Sequence, residues 1–95
     1  MLEAEHVRSG RYSFPYTTYD PPSDVLYARI TQERDAAREL TDEGDVWTFD
    51  AHGRPTGVIV MEPGARLARD GAVYITLPTG ERERLAGVEA ALRGP

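Results

Sequence analysis

The feature that most constrains this chain is its series of short alternating apolar stretches, each ended by glycine, proline or aspartate. Residues 25–30 are typical, because alternation places Leu26, Ala28 and Ile30 together on one face of a strand. The longest uninterrupted apolar run, residues 58–61, is far shorter than a membrane span requires. A sequence punctuated in this way predicts a small antiparallel sheet.

Two β-hairpins are predicted in the first two-thirds of the chain. Residues 17–19 and 25–30 flank a turn that contains two prolines, and they should pair antiparallel. Residues 45–49 and 57–61 should form the second hairpin, with Gly53 supplying a positive φ in its turn.

The last third of the chain predicts a fifth strand and a covering helix. Val73, Ile75 and Leu77 share one face of a strand over residues 72–77, and residues 81–93 carry apolar side chains at helical spacing. The predicted fold class is therefore α+β, a small antiparallel sheet of two hairpins plus a fifth strand, covered by a C-terminal helix. The predicted core consists of Leu26, Ile30, Trp47 or Val46, Val58, Val60, Ile75, Leu85 and Leu92.

Three segments are less constrained by their sequence. Residues 1–10 have no clear period and are expected to be a frayed end. The aromatic residues of 12–16 alternate as in a strand, but Pro15 limits them to an edge strand or an extended arm. Residues 31–44 favour a helix by propensity, although their few apolar residues fit a loop with a short strand near 37–40 equally well.

Length and charge limit the functional class. The 95 residues form one domain, with 16 acidic residues against 11 basic ones, all arginine, and a net charge of -5. This balance argues against nucleic-acid binding and suits a basic protein partner, or simply solubility. There is no cysteine, and the acidic first residues do not resemble a secretory signal, so we expect a cytoplasmic protein with no membrane association.

The candidate site residues are acidic and aromatic. Carboxylates that flank turns would either cap those turns or form an acidic rim for a basic partner, and tyrosines would either cover one face of the sheet or line a groove for a small molecule. These candidates are Tyr16, Tyr19, Asp20, Asp24, Tyr27, Asp42, Glu43, Asp45 and Asp50, with Tyr74 as a further groove residue.

Catalysis and cofactor binding are not expected. His6 and His52 are the only histidines, and their spacing does not match a metal-binding motif. No motif in the sequence places a nucleophile beside either of them. We therefore predict a non-enzymatic protein with no metal and no cofactor. Because a sheet this small leaves exposed edges, a homodimer that joins edges or faces is expected.

The order of several motifs resembles the short bacterial proteins of domain-of-unknown-function family 2283. The resemblance covers about residues 17–67 and rests on Tyr19-Asp20, Asp24, Leu26-Tyr27, the acidic turn at 42–45 and the hairpin around 50–53. Residues 68–95 would be a strand and helix added to that core. One departure is Ile59, which stands where the family usually has a glutamate.

The resemblance implies a small, mostly β protein without an assigned enzymatic activity. Some members of the family resemble antitoxins that are encoded beside small toxins. It therefore implies an antitoxin-like module that neutralises a small basic protein. The alternative is a small homodimeric structural or ligand-binding protein.

Overall fold

The chain is built around a six-stranded antiparallel sheet, and this structure, a computed structural model, describes residues 1–94. In the described residues the strands are β1 (Leu2–Ala4), β2 (Arg8–Ser9), β3 (Tyr12–Ser13), β4 (Tyr16–Asp20), β5 (Val25–Arg29), β6 (Ala37–Leu40), β7 (Val46–Phe49), β8 (Pro55–Met61), β9 (Tyr74–Thr76) and β10 (Arg82–Arg84). The helices are α1 (Pro63–Asp70) and α2 (Glu89–Arg93).

The strand order in the sheet is β1-β4-β5-β8-β7-β6, and both predicted hairpins are confirmed as β4–β5 and β7–β8. They join through β5 and β8, and Gly53 has the predicted positive φ, at 80°. The prediction of a five-stranded sheet is wrong. The strands β1 and β6 extend the two hairpins at their outer edges, and the predicted fifth strand pairs elsewhere.

The N-terminal segment is part of the fold, so the prediction of a frayed end is wrong. Strand β1 pairs with β4, and Ala4 and Val7 are buried in the core. Strands β2 and β3 form a small hairpin, after which Phe14 is fully buried. The segment orders because its few apolar residues fill the space over the inner side of the main sheet.

Residues 31–44 take the extended alternative rather than the helical one. Strand β6 pairs with β7, and the amide of Ala36 donates to the carbonyl of Phe49 at 2.7 Å. All four residues of β6 are exposed. A helix here would bury little apolar surface, whereas the edge of β7 offers backbone hydrogen bonds to an extended strand.

The predicted helix over residues 81–93 is wrong for its first half. The chain turns at Gly80 and returns as β10 along β9, and the amide of Leu85 donates to the carbonyl of Val73 at 2.7 Å. Only Glu89–Arg93 forms a helix. Pairing with β9 buries Leu85 and satisfies the backbone, which outweighs the helical propensity of the charged residues before it.

The core lies on one side of the main sheet, here called the inner face, and a second layer of small hairpins and short helices covers it. Trp47 is at its centre, with Tyr12 and Phe14 rings 5.4 and 6.0 Å away and an indole hydrogen bond to the carbonyl of Thr76. Ile30 and Leu92, both predicted core residues, are only partly buried at its edge. The covering layer is thus several short elements rather than one helix.

Candidate functional site

The opposite side of the sheet, here called the outer face, carries an apolar patch. Tyr27, Ile59, Val46 and Leu40 are successive cross-strand partners on β5, β8, β7 and β6, so they form one row. Val25 and Met61 are partners in the neighbouring row. These six residues are named the outer-face patch, and with strands about 4.8 Å apart the row spans roughly 14 Å.

The exposed apolar side chains concentrate on this face. Leu40 is 72% exposed, Met61 40% and Tyr27 38%, and Tyr16, also on the outer face, is 48% exposed. Tyr74 is exposed to 40% as well, but it lies on β9, where it lines a cavity with Met61 and Glu62. A contiguous apolar patch on a small protein marks an interaction surface, whereas single exposed apolar residues do not.

Strand β8 is apolar on both of its faces. Val58 and Val60 are buried in the core, while Ile59 and Met61 point to the outer face. Strands of this type are usually covered on both faces. A strand with one solvent-exposed face instead alternates apolar and polar residues. The sequence of β8 therefore fits a sheet whose outer face becomes covered.

The two ends of the outer face differ in charge. Asp20, Asp42 and Glu62 lie at the end where β4, β6 and β8 finish, and Arg34 and Arg38 lie at the end where β6 begins. Within residues 1–94, none of these five side chains takes part in an ion pair. The patch is therefore flanked by an acidic end and a basic end.

A polar clamp fixes the approach to β6. The Arg29 guanidinium makes two hydrogen bonds to the Asp35 carboxylate, at 3.0 and 3.1 Å, and donates to the carbonyls of Thr31 and Glu33. Asp35 also accepts from Thr56 at 2.6 Å. The Arg29 hydrogen bonds, chiefly, and that of Thr56 lower the pKa of Asp35. A shallow cavity of about 200 Å³ lies between this clamp and the patch, lined by Tyr27, Arg38, Thr48 and Ile59 among others.

Tyr19 and Asp24 point inward and have a structural role. Asp24 accepts from the amides of Gly64 and Ala65, at 2.8 and 3.1 Å, and so caps α1, whose own N-cap Glu62 makes no side-chain cap. Burial alone would raise the pKa of Asp24, but hydrogen bonds from Tyr19 and both amides lower it. Burial, together with the Asp24 carboxylate, raises the pKa of Tyr19 to about 12. Asp20 accepts from the Ser23 hydroxyl within the same turn.

The predicted tyrosine groove is wrong. Tyr16 and Tyr27 lie on the outer face, Tyr19 is buried on the inner side, and Tyr74 is on β9. Alternation along β4 separates Tyr16 from Tyr19, because residues an odd number apart point to opposite faces.

The predicted acidic rim is also wrong for two of its members. Asp45 is completely buried, where it accepts from the amide of Met61 at 2.9 Å and pairs with Arg66 at 2.5 Å. Glu43 accepts from the Thr76 hydroxyl and pairs with Arg82; burial opposes these contacts, but the pKa of Glu43 is lowered. These carboxylates hold β7, α1 and the β9–β10 hairpin together and are not free for a partner.

The other two rim residues remain at the surface. Asp42 is exposed, and Asp50 caps its own turn by accepting from the amides of His52 and Arg54. Those amide bonds, led by that of Arg54, lower the pKa of Asp50. Asp50 is therefore explained by its turn, while Asp42 belongs to the acidic end of the outer face.

Five patch residues and the flanking Arg38 were not predicted as site residues; the five are Val25, Leu40, Val46, Ile59 and Met61. One signal could have found Ile59 and Met61, since an apolar run without alternation marks a strand with two apolar faces. Leu40 could not be found in this way, because its place on the outer face depends on β6 being a strand.

Comparison with known protein families, with curated proteins and with solved structures finds no match to this chain. The resemblance to family 2283 therefore stays a prediction. In residues 1–94 the described helices are too short and too polar to cross a membrane, and the His, Asp and Glu side chains form no cluster of three that could hold a metal ion.

Proposed function

We propose that this chain is a small non-enzymatic protein-binding module whose binding surface is the outer-face patch. The observation that carries the proposal is the concentration of exposed Tyr16, Tyr27, Leu40 and Met61 on one face of the sheet. Burying such a patch against a partner contributes about 25 cal/mol for each Å² of apolar surface removed from water.

The position of the histidines supports a binding rather than a catalytic role. His6 and His52 are both exposed, the first between β1 and β2 and the second in the turn between β7 and β8. The buried ion pair Asp45–Arg66 connects the start of β7 with β8 and α1, so its role is structural.

Neutralisation of a small basic protein, as by an antitoxin, is the second candidate function. Six arginines are held in ion pairs within residues 1–94, so the net charge of -5 is carried by carboxylates outside those pairs, Asp20, Asp42 and Glu62 among them. Such a surface would accelerate association with a basic partner. Its partner would be encoded by an adjacent gene.

Substitutions on and off the patch test the proposal. Tyr27→Asp and Leu40→Asp should abolish both self-association and co-purification with the product of an adjacent gene. Ala90→Asp is the control, because Ala90 is exposed on α2, in the layer that covers the inner face. If the unmodified chain forms neither complex, or if the patch variants form them as well as the control, the proposed function is wrong.

A further inference from the structure

We infer that the occupant of the outer-face patch is a second copy of this chain, packed face to face about a two-fold axis that runs along the row Tyr27–Ile59–Val46–Leu40. This inference rests on the proposed function and names the partner. Face-to-face sheets pack about 10 Å apart, which brings the side chains of the two rows into contact.

Self-complementarity of the row is the first reason. An axis along the row sets each of its residues opposite the same residue of the second copy, as an isologous interface requires. Apolar residues occupy four successive positions, so every one of these self-contacts is apolar. An axis displaced along the strands by one residue would instead place Leu40 opposite the charged Arg38 or Asp42.

The position of Met61 relative to Gly57 is the second reason. They lie two residues to either side of Ile59 on β8, so the axis exchanges them and places Met61 over Gly57 of the second copy. The shallow cavity of about 200 Å³ opens beside Gly57, because its lining includes Arg29 and Thr48, the cross-strand partners of Gly57. The exposed side chain of Met61 would enter that cavity.

The charges at the two ends are the third reason. The axis exchanges the two ends of each strand, so Arg38 of one copy faces Asp42 of the other, because these residues lie two positions to either side of Leu40. A uniformly basic partner would be attracted at one end and repelled at the other. A second copy is matched at both ends, which is why we favour it over a basic protein.

Light scattering coupled to size exclusion tests the self-association directly. The face is small by the standard of stable dimers, so measurements should span about 5 to 500 µM. We expect twice the chain mass at the upper concentrations. Leu40→Asp and Ile59→Glu should raise the dissociation constant at least tenfold, and Ala90→Asp on α2 should leave it unchanged. Leu40 is largely exposed, so its substitution does not threaten folding.

Cross-linking then tests the axis itself. Because the chain has no cysteine, Ile59→Cys and Leu40→Cys each introduce a single thiol. A short bis-maleimide should link each variant into a dimer in high yield, while Ala90→Cys on α2 should not be cross-linked. Arg38→Glu should also weaken the dimer several-fold at low salt, with Arg11→Glu as an exposed control away from the sheet face.

The outcomes separate this inference from the proposed function. A monomer over the whole concentration range, or a dimer that is insensitive to Leu40→Asp and not cross-linked through Ile59→Cys, overturns the inference. If such a monomer still binds the product of an adjacent gene through Tyr27 and Leu40, the proposed function stands and the basic protein is the occupant. If it binds neither, both are overturned.

Discussion

The hydroxyl of Tyr19 donates a 2.7 Å hydrogen bond to Oδ1 of Asp24, across the turn that joins β4 to β5. The same oxygen accepts from the amide of Gly64, at the start of α1. One carboxylate therefore connects the first hairpin to the first helix. The residues that carry the resemblance to family 2283 thus include a structural pair, and the proposed binding surface lies on the other side of the sheet.

Replacing Asp24 should destabilise the fold without affecting the patch. Asparagine has the same shape as aspartate and tolerates the positive φ of 54° at this position. Asp24→Asn therefore removes only the negative charge, which two backbone amides and the Tyr19 hydroxyl contact. We expect a loss of about 1–2 kcal/mol in the free energy of unfolding, measured with urea. Asp20→Asn is the control, since Asp20 accepts only from an exposed serine, and an equal loss there would contradict this role.

Alkaline pH should destabilise the protein through Tyr19. The pKa of Tyr19 is raised from the ordinary value of 10.0 to about 12 in the folded state. The contribution of Tyr19 to the free energy of unfolding is therefore complete below pH 10 and is lost as the pH rises toward 12. Tyr19→Phe should be less stable at neutral pH by about 1–2 kcal/mol, yet lose less stability between pH 10 and 12. Thermal unfolding of both proteins across this range measures the difference, and parallel profiles would contradict the prediction.

Acid should destabilise the protein through its hydrogen-bonded carboxylates. The pKa values of Asp24, Asp35 and Glu43 are lowered in the folded state. Their contribution is therefore present above the ordinary values of 3.8 to 4.5 and is lost as pH falls through the folded values. The free energy of unfolding should fall below about pH 4, and less steeply in Asp24→Asn, because that variant lacks one of these groups.

Removing Arg66 should be the most damaging single change of a charge. Arg66→Met leaves the buried carboxylate of Asp45 without its cation, which costs about 3–5 kcal/mol. The double variant with Asp45→Asn should recover part of this loss, because no buried charge is then unpaired. Arg69→Met removes an exposed ion pair with Asp70 and should cost less than about 1 kcal/mol. If Arg66→Met and Arg69→Met lowered the free energy of unfolding equally, the buried pair would be no more important than the exposed one, and the prediction would be wrong.

A glycine packed against the N-terminal segment should tolerate no side chain. Gly87 has φ of 88°, and a β-carbon there would lie 2.4 Å from the carbonyl oxygen of His6. Gly80 has a similar φ of 94° with open space around it. Gly80→Ala should therefore cost about 1 kcal/mol for backbone strain alone, and Gly87→Ala clearly more in the same denaturation assay. If the two variants cost the same, the segment before β2 is not packed on Gly87.

Two stretches show where helical propensity taken alone favours the wrong element. Residues 32–40 and 81–85 both have helical propensity, yet β6 and β10 form in them. In each case the deciding partner is distant in sequence or set by a turn: β7 for β6, and β9 across the turn at Gly80 for β10. Helical propensity is worth a few tenths of a kcal/mol per residue, which backbone pairing and the burial of Leu85 exceed.

The sequence by itself determined the two hairpins, the positive φ of Gly53 and the burial of Leu26, Trp47, Val58 and Val60, because turn chemistry and a period of two act over a few residues. Only the tertiary structure decided which face of the sheet is covered. Alternation says that Ile59 and Tyr27 share a face, but not that the second layer packs on the opposite side. The burial of Asp45 was decided in the same way, because its partner Arg66 lies on a helix and is 21 residues further along the chain.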